Sequence, residues 1–299
     1  MTQPADIKIV GKDLIAENIP LRDNNSHKGT FGHVLNIAGS PMYPGAAYLS
    51  SVSALKVGAG QCTLASSEDV VGIMSCNSPD ITYINLGQSK YGTIPKSALK
   101  ILDTLEGFDA VSIGCGLSMN DEVGDFVINF LKHHKESYCP IIIDADALNI
   151  AAERKFCDFP MNSIITPHPA ELARLMGVSV KEIQQNRARW AWEACRKYDC
   201  MVILKGHETI ISVPTGRVYL NRTGNSALAK AGTGDVLTGM IAGLCAQIDV
   251  NKSEEAAYIA VFIHGVAGEL AAKNQTEYGV LASDLLRYIP QAFKIILNK

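Results

Sequence analysis

Short runs of β-branched and other apolar residues recur along the chain, at His33–Ala38, Ala110–Ile113, Ile141–Asp144, Ser163–Thr166 and Met201–Lys205. They are continuous rather than alternating with polar positions, the mark of strands covered on both faces. Helix-length stretches separate them: Ala46–Gly58, Val123–His133 and Glu182–Tyr198, the last carrying Ile183, Trp190, Ala194 and Tyr198 at helical spacing. Parallel neighbours need a crossover long enough for a helix, so this alternation predicts an α/β fold, a central, mostly parallel sheet flanked by helices on both faces. No linker, low-complexity tract or repeat divides residues 1–299. A single domain of this size buries roughly 75% of its unfolded surface, so one domain is expected.

One segment breaks the alternation. Glu208–Val213 and Arg217–Asn221 are strand-like and joined by Pro214-Thr215-Gly216, which predicts a hairpin. The chain then turns helical over Asp235–Gln247 and Ser253–Lys273, both so rich in Ala, Val, Ile and Leu that they must pack deeply.

Composition narrows the function classes. Lys and Arg total 27 against 30 Asp and Glu, a net charge of −3 without basic runs, which argues against a nucleic-acid partner. The longest apolar run, Ala256–Ile263, is far shorter than the ~18 residues of a membrane span and reads as a core helix. Asp6, Asp13 and Glu17 interrupt the N-terminus, so no signal peptide is expected. The eight cysteines form neither a CxxC pair nor a recurring spacing, consistent with a reduced, cytoplasmic setting.

The densest chemical signal is the run Asn221 to Asp235, which leads into an apolar helix containing Val236, Leu237, Met240, Ile241 and Leu244. Gly232 and Gly234 let backbone amides of Ala231, Gly232, Thr233 and Gly234 surround an anion at the positive end of a helix. Asp235 would either accept a proton from an attacking hydroxyl there or simply cap the helix. No GxxxxGK[ST] is present, and GxGxxG is not completed because residue 237 is Leu. Gly239 and Gly243 lie on one helix face and suit close helix packing.

Three further segments end strands where open parallel sheets bind ligands. Lys205, Gly206, His207, Glu208 and Thr209 follow one strand, with Lys205 either a phosphate contact or a solvated side chain. His168-Pro-Ala-Glu171 opens a helix, with His168 a ligand contact or a structural hydrogen bonder and Glu171 near the helix dipole. Asp144 and Asp146 could bind Mg²⁺, bind hydroxyls or cap. Gly-rich turns follow two other strands, at Ala38-Gly39-Ser40 with Pro44-Gly45-Ala46-Ala47, and at Gly114-Cys115-Gly116. The remaining histidines show no metal-ligand spacing and read as structural or surface residues.

Taken together, KGTFG (28–32), AGS (38–40), PGAA (44–47), DADALN (144–149), TPHPAE (166–171), LKGHET (204–209) and TGNSALAKAGTGDVLTGMIAGL (223–244) resemble, in order, the ADP/ATP-dependent NAD(P)H-hydrate dehydratases. HGVAGELAA (264–272) and ASDLL (282–286) extend the similarity nearly to the C-terminus. The resemblance implies a single-domain ribokinase-like fold. It implies that Ala46, Gly116, His168 and Asp235 line the hydrated dinucleotide and that Lys205 to Thr209 and Gly234 contact the adenine nucleotide. His168-x-x-Glu171 is similar to the Asn-x-x-Glu motif of related kinases, whose Glu helps organise Mg²⁺. Cys115 departs from the Pro that relatives often carry.

The expected activity is a carbon–oxygen lyase reaction, dehydration of the S epimer of hydrated NADH or NADPH with ADP or ATP as phosphoryl donor, Asp235 as base and Mg²⁺ as cofactor. The resemblance also implies a homo-oligomer and an NAD(P)H-hydrate epimerase on a separate chain. The rivals are a small-molecule kinase of the same fold and a catalytically silent nucleotide sensor.

Overall fold

The computed structural model describes residues 6–104 and 106–298. Its strands are β1 (Ile7–Ile9), β2 (His33–Ile37), β3 (Gln61–Ser66), β4 (Thr82–Asn85), β5 (Ala110–Ile113), β6 (Ile141–Ile143), β7 (Ser163–Ile165), β8 (Met201–Leu204), β9 (Thr209–Ser212) and β10 (Val218–Asn221). They form one sheet in the order β1-β10-β9-β8-β7-β6-β5-β2-β3-β4. From β8 to β4 every pairing is parallel. The hairpin β9–β10 is antiparallel, as its Pro-Thr-Gly turn predicts, and β1 closes the far edge parallel to β10.

Successive residues of the central strands point into different cores. Ile142, Ile164 and Ile203 belong to one apolar cluster, whereas Ile141, Ile143, Ile165, Val202 and Leu204 belong to the other. Both faces must therefore be apolar, which is why these strands read as unbroken hydrophobic runs. The first core is covered by α1 (Lys12–Asn18), α2 (Pro44–Lys56), α3 (Glu68–Asn77), α9 (Thr233–Cys245), α10 (Ser253–Gly279) and α11 (Ala282–Ile296). The second is covered by α4 (Asp121–His133), α5 (Ala145–Glu153), α6 (Pro169–Met176), α7 (Val180–Gln185) and α8 (Arg187–Tyr198).

Two helical expectations change. Glu182–Tyr198 is not continuous: α7 ends at Gln185, and Asn186 starts α8 by accepting a hydrogen bond from the Arg189 amide on its side-chain oxygen at 3.2 Å. Asn competes with the helical backbone for hydrogen bonds, so it favours a cap over a helix interior. The helix begun at Ser253 extends past Lys273 to a break at Thr276, whose φ is +66°, and is long and apolar enough by composition to cross a membrane, yet Ala256–Gly265 is buried between α9 and α11. It is the central helix of the first core.

Glycines set the closest approach. A Cβ on Gly239 would lie 1.9 Å from the Ser50 carbonyl oxygen, and one on Gly243 would lie 2.5 Å from that of Ala54. The backbones of α9 and α2 therefore touch, and α9 is drawn against the sheet with its N-terminus at the carboxyl ends of the strands. The strand order reverses between β2 and β5, the position where open α/β sheets leave a crevice.

Candidate active site

Two clefts open at this edge, one on each side of the first turn of α9. The first, about 420 Å³, occupies the crevice where the strand order reverses. It is lined by Met42, Tyr43 and Ala46 after β2, Gly116, Ser118 and Met119 after β5, Ala145 and Asp146 after β6, and Asp235 of α9. Gly116 has a φ of +63°, and a Cβ there would lie 2.7 Å from the Cβ atoms of both Ala46 and Tyr43. Ala46 and Gly116 are thus small for a shared reason: the two loops meet across the floor.

The second cleft, about 650 Å³, is lined by Lys205 to Thr209, by the segment around Thr223 to Ala229, and by Thr233, Gly234, Val261 and His264. The segment is tied to α10 by the Gly224 amide donating to Glu269 at 2.7 Å and by Lys230 Nζ donating to the Tyr278 carbonyl at 2.6 Å.

Between the clefts stands the Gly-rich turn. Gly232 has φ +91°, and a Cβ on it would meet Leu49 and Ala282 within 3 Å. The left-handed turn leads the chain directly into α9, leaving first-turn amides without helical acceptors at the positive end of the dipole. Thr233 Oγ1 secures the turn by donating to the Leu228 carbonyl at 2.8 Å. From below, His264 Nε2 meets the Thr233 carbonyl oxygen at 2.9 Å. Burial drives the His264 pKa down to about 4, so at neutral pH the ring is uncharged and its N–H is the donor.

A buried polar network backs the turn. Asp144, 1% exposed at the end of β6, accepts hydrogen bonds from Lys205 Nζ and Thr238 Oγ1, each at 2.6 Å. Lys205 also lies 4.0 Å from Glu171. Burial opposes the Lys205 charge, but Asp144 and Glu171 outweigh it and raise its pKa. A Cβ on Gly234 would stand 3.5 Å from Lys205 Nζ, so the ammonium sits directly behind the amide cradle.

Asp235 lies in the first turn of α9, three residues past the Gly232 cap, and so does not itself cap the helix. Burial, with the charge of Asp144 adding to it, pushes its carboxyl up to about 6, partly offset by a hydrogen bond from the buried Cys115 thiol. A carboxylate of that basicity, beside an anion cradle, suits proton removal from an alcohol near neutral pH.

His168 and Glu171 are placed differently from the other candidates. His168 Nδ1 accepts from the amides of Ala170 and Glu171, and a Glu171 oxygen accepts from the His168 amide at 2.7 Å, a reciprocal cap on α6. His168 does its Asn-like work through Nδ1, and it lines neither cleft. Glu171 is buried and held up to about 7 mainly by desolvation, with Lys205 pulling the other way. Its oxygens face His168 and Lys205, and it lines neither cleft. Among the described residues no three His, Cys, Asp or Glu side chains converge as a metal site. Mg²⁺ commonly keeps several waters and binds through substrate phosphates with only one or two carboxylates, so it needs no such cluster.

The network also includes residues the sequence did not single out. Thr238 reaches Asp144 from one turn beyond Asp235, and its signal was a hydroxyl on an otherwise apolar helix face. Ser118 had no such signal, and Cys115, noted only for standing where relatives often carry Pro, gave no sign of its contact with Asp235, because these contacts depend on how separate loops meet.

A family model described as NAD(P)H-hydrate dehydratase matches residues 34–291. The chain is 37% identical over 281 residues to the ADP-dependent (S)-NAD(P)H-hydrate dehydratase of Bacillus subtilis, covering 94% of this chain and 95% of that protein. It is 38% identical over 279 residues to the bifunctional NAD(P)H-hydrate repair enzyme of Moorella thermoacetica, covering 92% of this chain but spanning only about half, 52%, of that relative. The crystal structure of the Bacillus subtilis ADP/ATP-dependent NAD(P)H-hydrate dehydratase, co-crystallised with ATP/Mg²⁺, superposes with a TM-score of 0.84 at 34% identity, covering 98% of this chain and 99% of that one.

Proposed function

Because this chain belongs to the NAD(P)H-hydrate dehydratase family, we propose that it dehydrates the S epimer of hydrated NADH or NADPH, using ADP or ATP as phosphoryl donor. The observation that carries this reading is the division of labour at the start of α9, where Gly234 faces the cleft with Lys205 to Thr209 and Asp235 faces the other. The larger cleft takes the nucleotide and the smaller one the damaged nicotinamide ring.

Water added across the ring leaves a hydroxyl on the carbon beside the ring nitrogen, and hydroxide is a poor leaving group. Asp235 accepts the hydroxyl proton as the oxygen attacks the terminal phosphoryl group. The amides from Ala231 to Gly234 stabilise the charge that develops on the transferring group, and they are in place before it does. Lys205, held by Asp144, adds a fixed positive charge behind them. Mg²⁺ bound with the nucleotide would supply further phosphate neutralisation. Phosphate then leaves with the help of the ring nitrogen, and reduced nicotinamide is restored.

ADP is the favoured donor, as the single-function relative is named for it. An NAD(P)H-hydrate epimerase on a separate chain would supply the S epimer, in the cytoplasm, and the active form would be a homo-oligomer. The decisive experiment mixes the protein with NADH hydrate, Mg²⁺ and either ADP or ATP, following near-ultraviolet absorbance and phosphate release. Nucleotide-dependent recovery of absorbance supports the reading. A stable phosphorylated product with no absorbance recovery would instead identify a kinase.

A further inference from the structure

Asp146, in the first turn of α5, is a second carboxylate lining the cleft with Asp235, and phosphoryl transfer gives it no work. Its Oδ2 accepts from the Ser118 amide at 2.8 Å, and the Asn149 side chain is a second hydrogen-bond partner. It makes no ion pair among the described residues, unlike Asp144 two positions earlier. The two residues that border it in the cleft, Ser118 and Ala145, have left-handed backbones, with φ of +72° and +48°. Non-glycine residues hold such conformations only where their surroundings enforce them, and such sites concentrate around ligands. Ser118 is further pinned by its hydroxyl donating to Ser40 at 2.8 Å.

The reaction requires two proton acceptors. The hydrated ring carries the hydroxyl on C6 and the added hydrogen on C5. After the oxygen is phosphorylated, the ring nitrogen's electron pair expels phosphate, breaking C6–O and leaving a positively charged iminium. Restoring the dihydronicotinamide then needs the C5–H bond to break: its electrons become the C5=C6 double bond, the nitrogen regains its pair, and the proton must go to a base. Asp235 has already taken the hydroxyl proton in the same turnover.

We propose that Asp146 is the catalytic residue that takes the C5 proton, a role that rests on the dehydratase reading above. Its negative charge also stabilises the iminium before the proton moves. Desolvation raises the Asp146 pKa, which makes the carboxylate a stronger base.

The test separates the two half-reactions in a single turnover with ADP and hydrated NADH, reading AMP for phosphoryl transfer and absorbance for reduced nicotinamide. Asp146→Asn should form AMP within a few-fold of the wild-type rate while reduced nicotinamide appears about 10²-fold more slowly, with an isotope effect when C5 carries deuterium. Asp146→Glu should recover part of the second step, and nucleotide affinity by calorimetry confirms that both variants are folded. Reduced nicotinamide appearing in step with AMP in Asp146→Asn would overturn the assignment and leave the dehydratase reading intact. Neither AMP from ADP nor ADP from ATP, with the wild-type protein and hydrated NADH, would overturn both.

Discussion

At the scale of single residues, the chemistry depends on carboxylates whose environments differ. The carboxyl of Asp235, pushed up to about 6, must be ionised to act as a base, so kcat/KM should rise with pH through an acid limb near 6. Asp235→Asn should remove that limb and lower kcat by about 10²–10⁴-fold while ADP affinity by calorimetry stays near wild type. The same shift affects stability. A carboxyl with a raised folded pKa binds more protons folded than unfolded between about 4 and 6, so its contribution to stability declines as pH rises through that window. Asp235→Asn should therefore be more stable than wild type at pH 7, by about 1–2 kcal/mol once water in the open cleft is allowed for, and no more stable at pH 4. Denaturant titrations at the two pH values measure this.

Lys205 offers the reverse case. Replacing it with Met leaves buried Asp144 with Thr238 as its remaining partner, which should cost about 3–5 kcal/mol in urea and also weaken ADP binding. Adding Asp144→Asn should recover part of the stability and none of the affinity. The sequence could place Lys205 at the end of a strand but left open whether it was solvated, because its partner lies 61 positions earlier in the chain. The signature of the His168 cap was local, a His three residues before a Glu beside a helix-starting Pro, yet the sequence reading left His168 open between a ligand contact and a structural hydrogen bonder.

Among the elements, α9 matters most, and its contact with α2 is the most sensitive. Gly239→Ala pushes a methyl group into the Ser50 carbonyl, so a loss of at least about 2 kcal/mol in chemical denaturation is expected. An equally small change at Gly45, where nothing lies within 4 Å of an added Cβ, should cost little. The packing of Gly239 and Gly243 was legible because two glycines four residues apart on an apolar helix have few other uses. The break between α7 and α8 was not. Apolar periodicity continues across Asn186, and only the competing hydrogen bond of its side chain divides the two helices.

For the whole molecule, the parallel sheet and its hairpin were readable from local patterns, since burial on two faces writes an unbroken apolar run and a turn writes its own residues. The short edge strands β1 and β4 carry exposed positions and no such run. They were invisible until the sheet gave them neighbours. The cleft proposed for the nucleotide joins the hairpin side of the sheet to α10, so a ligand there would brace elements far apart in sequence. ADP at a hundred times its dissociation constant should stabilise the folded chain by about 2.7 kcal/mol, seen as a rise in Tm of several degrees. Hydrated NADH alone should raise it independently.

Gly234 and Asp235 are neighbours in the chain yet face different clefts. On the proposed reading, donor and acceptor chambers share a wall one peptide thick, so their alignment rests on the first turn of α9 rather than on how far two lobes swing together. Thickening the solvent should leave the transfer step itself unhurried and unhindered, and heating should spare the alignment until the first turn of the helix itself lets go.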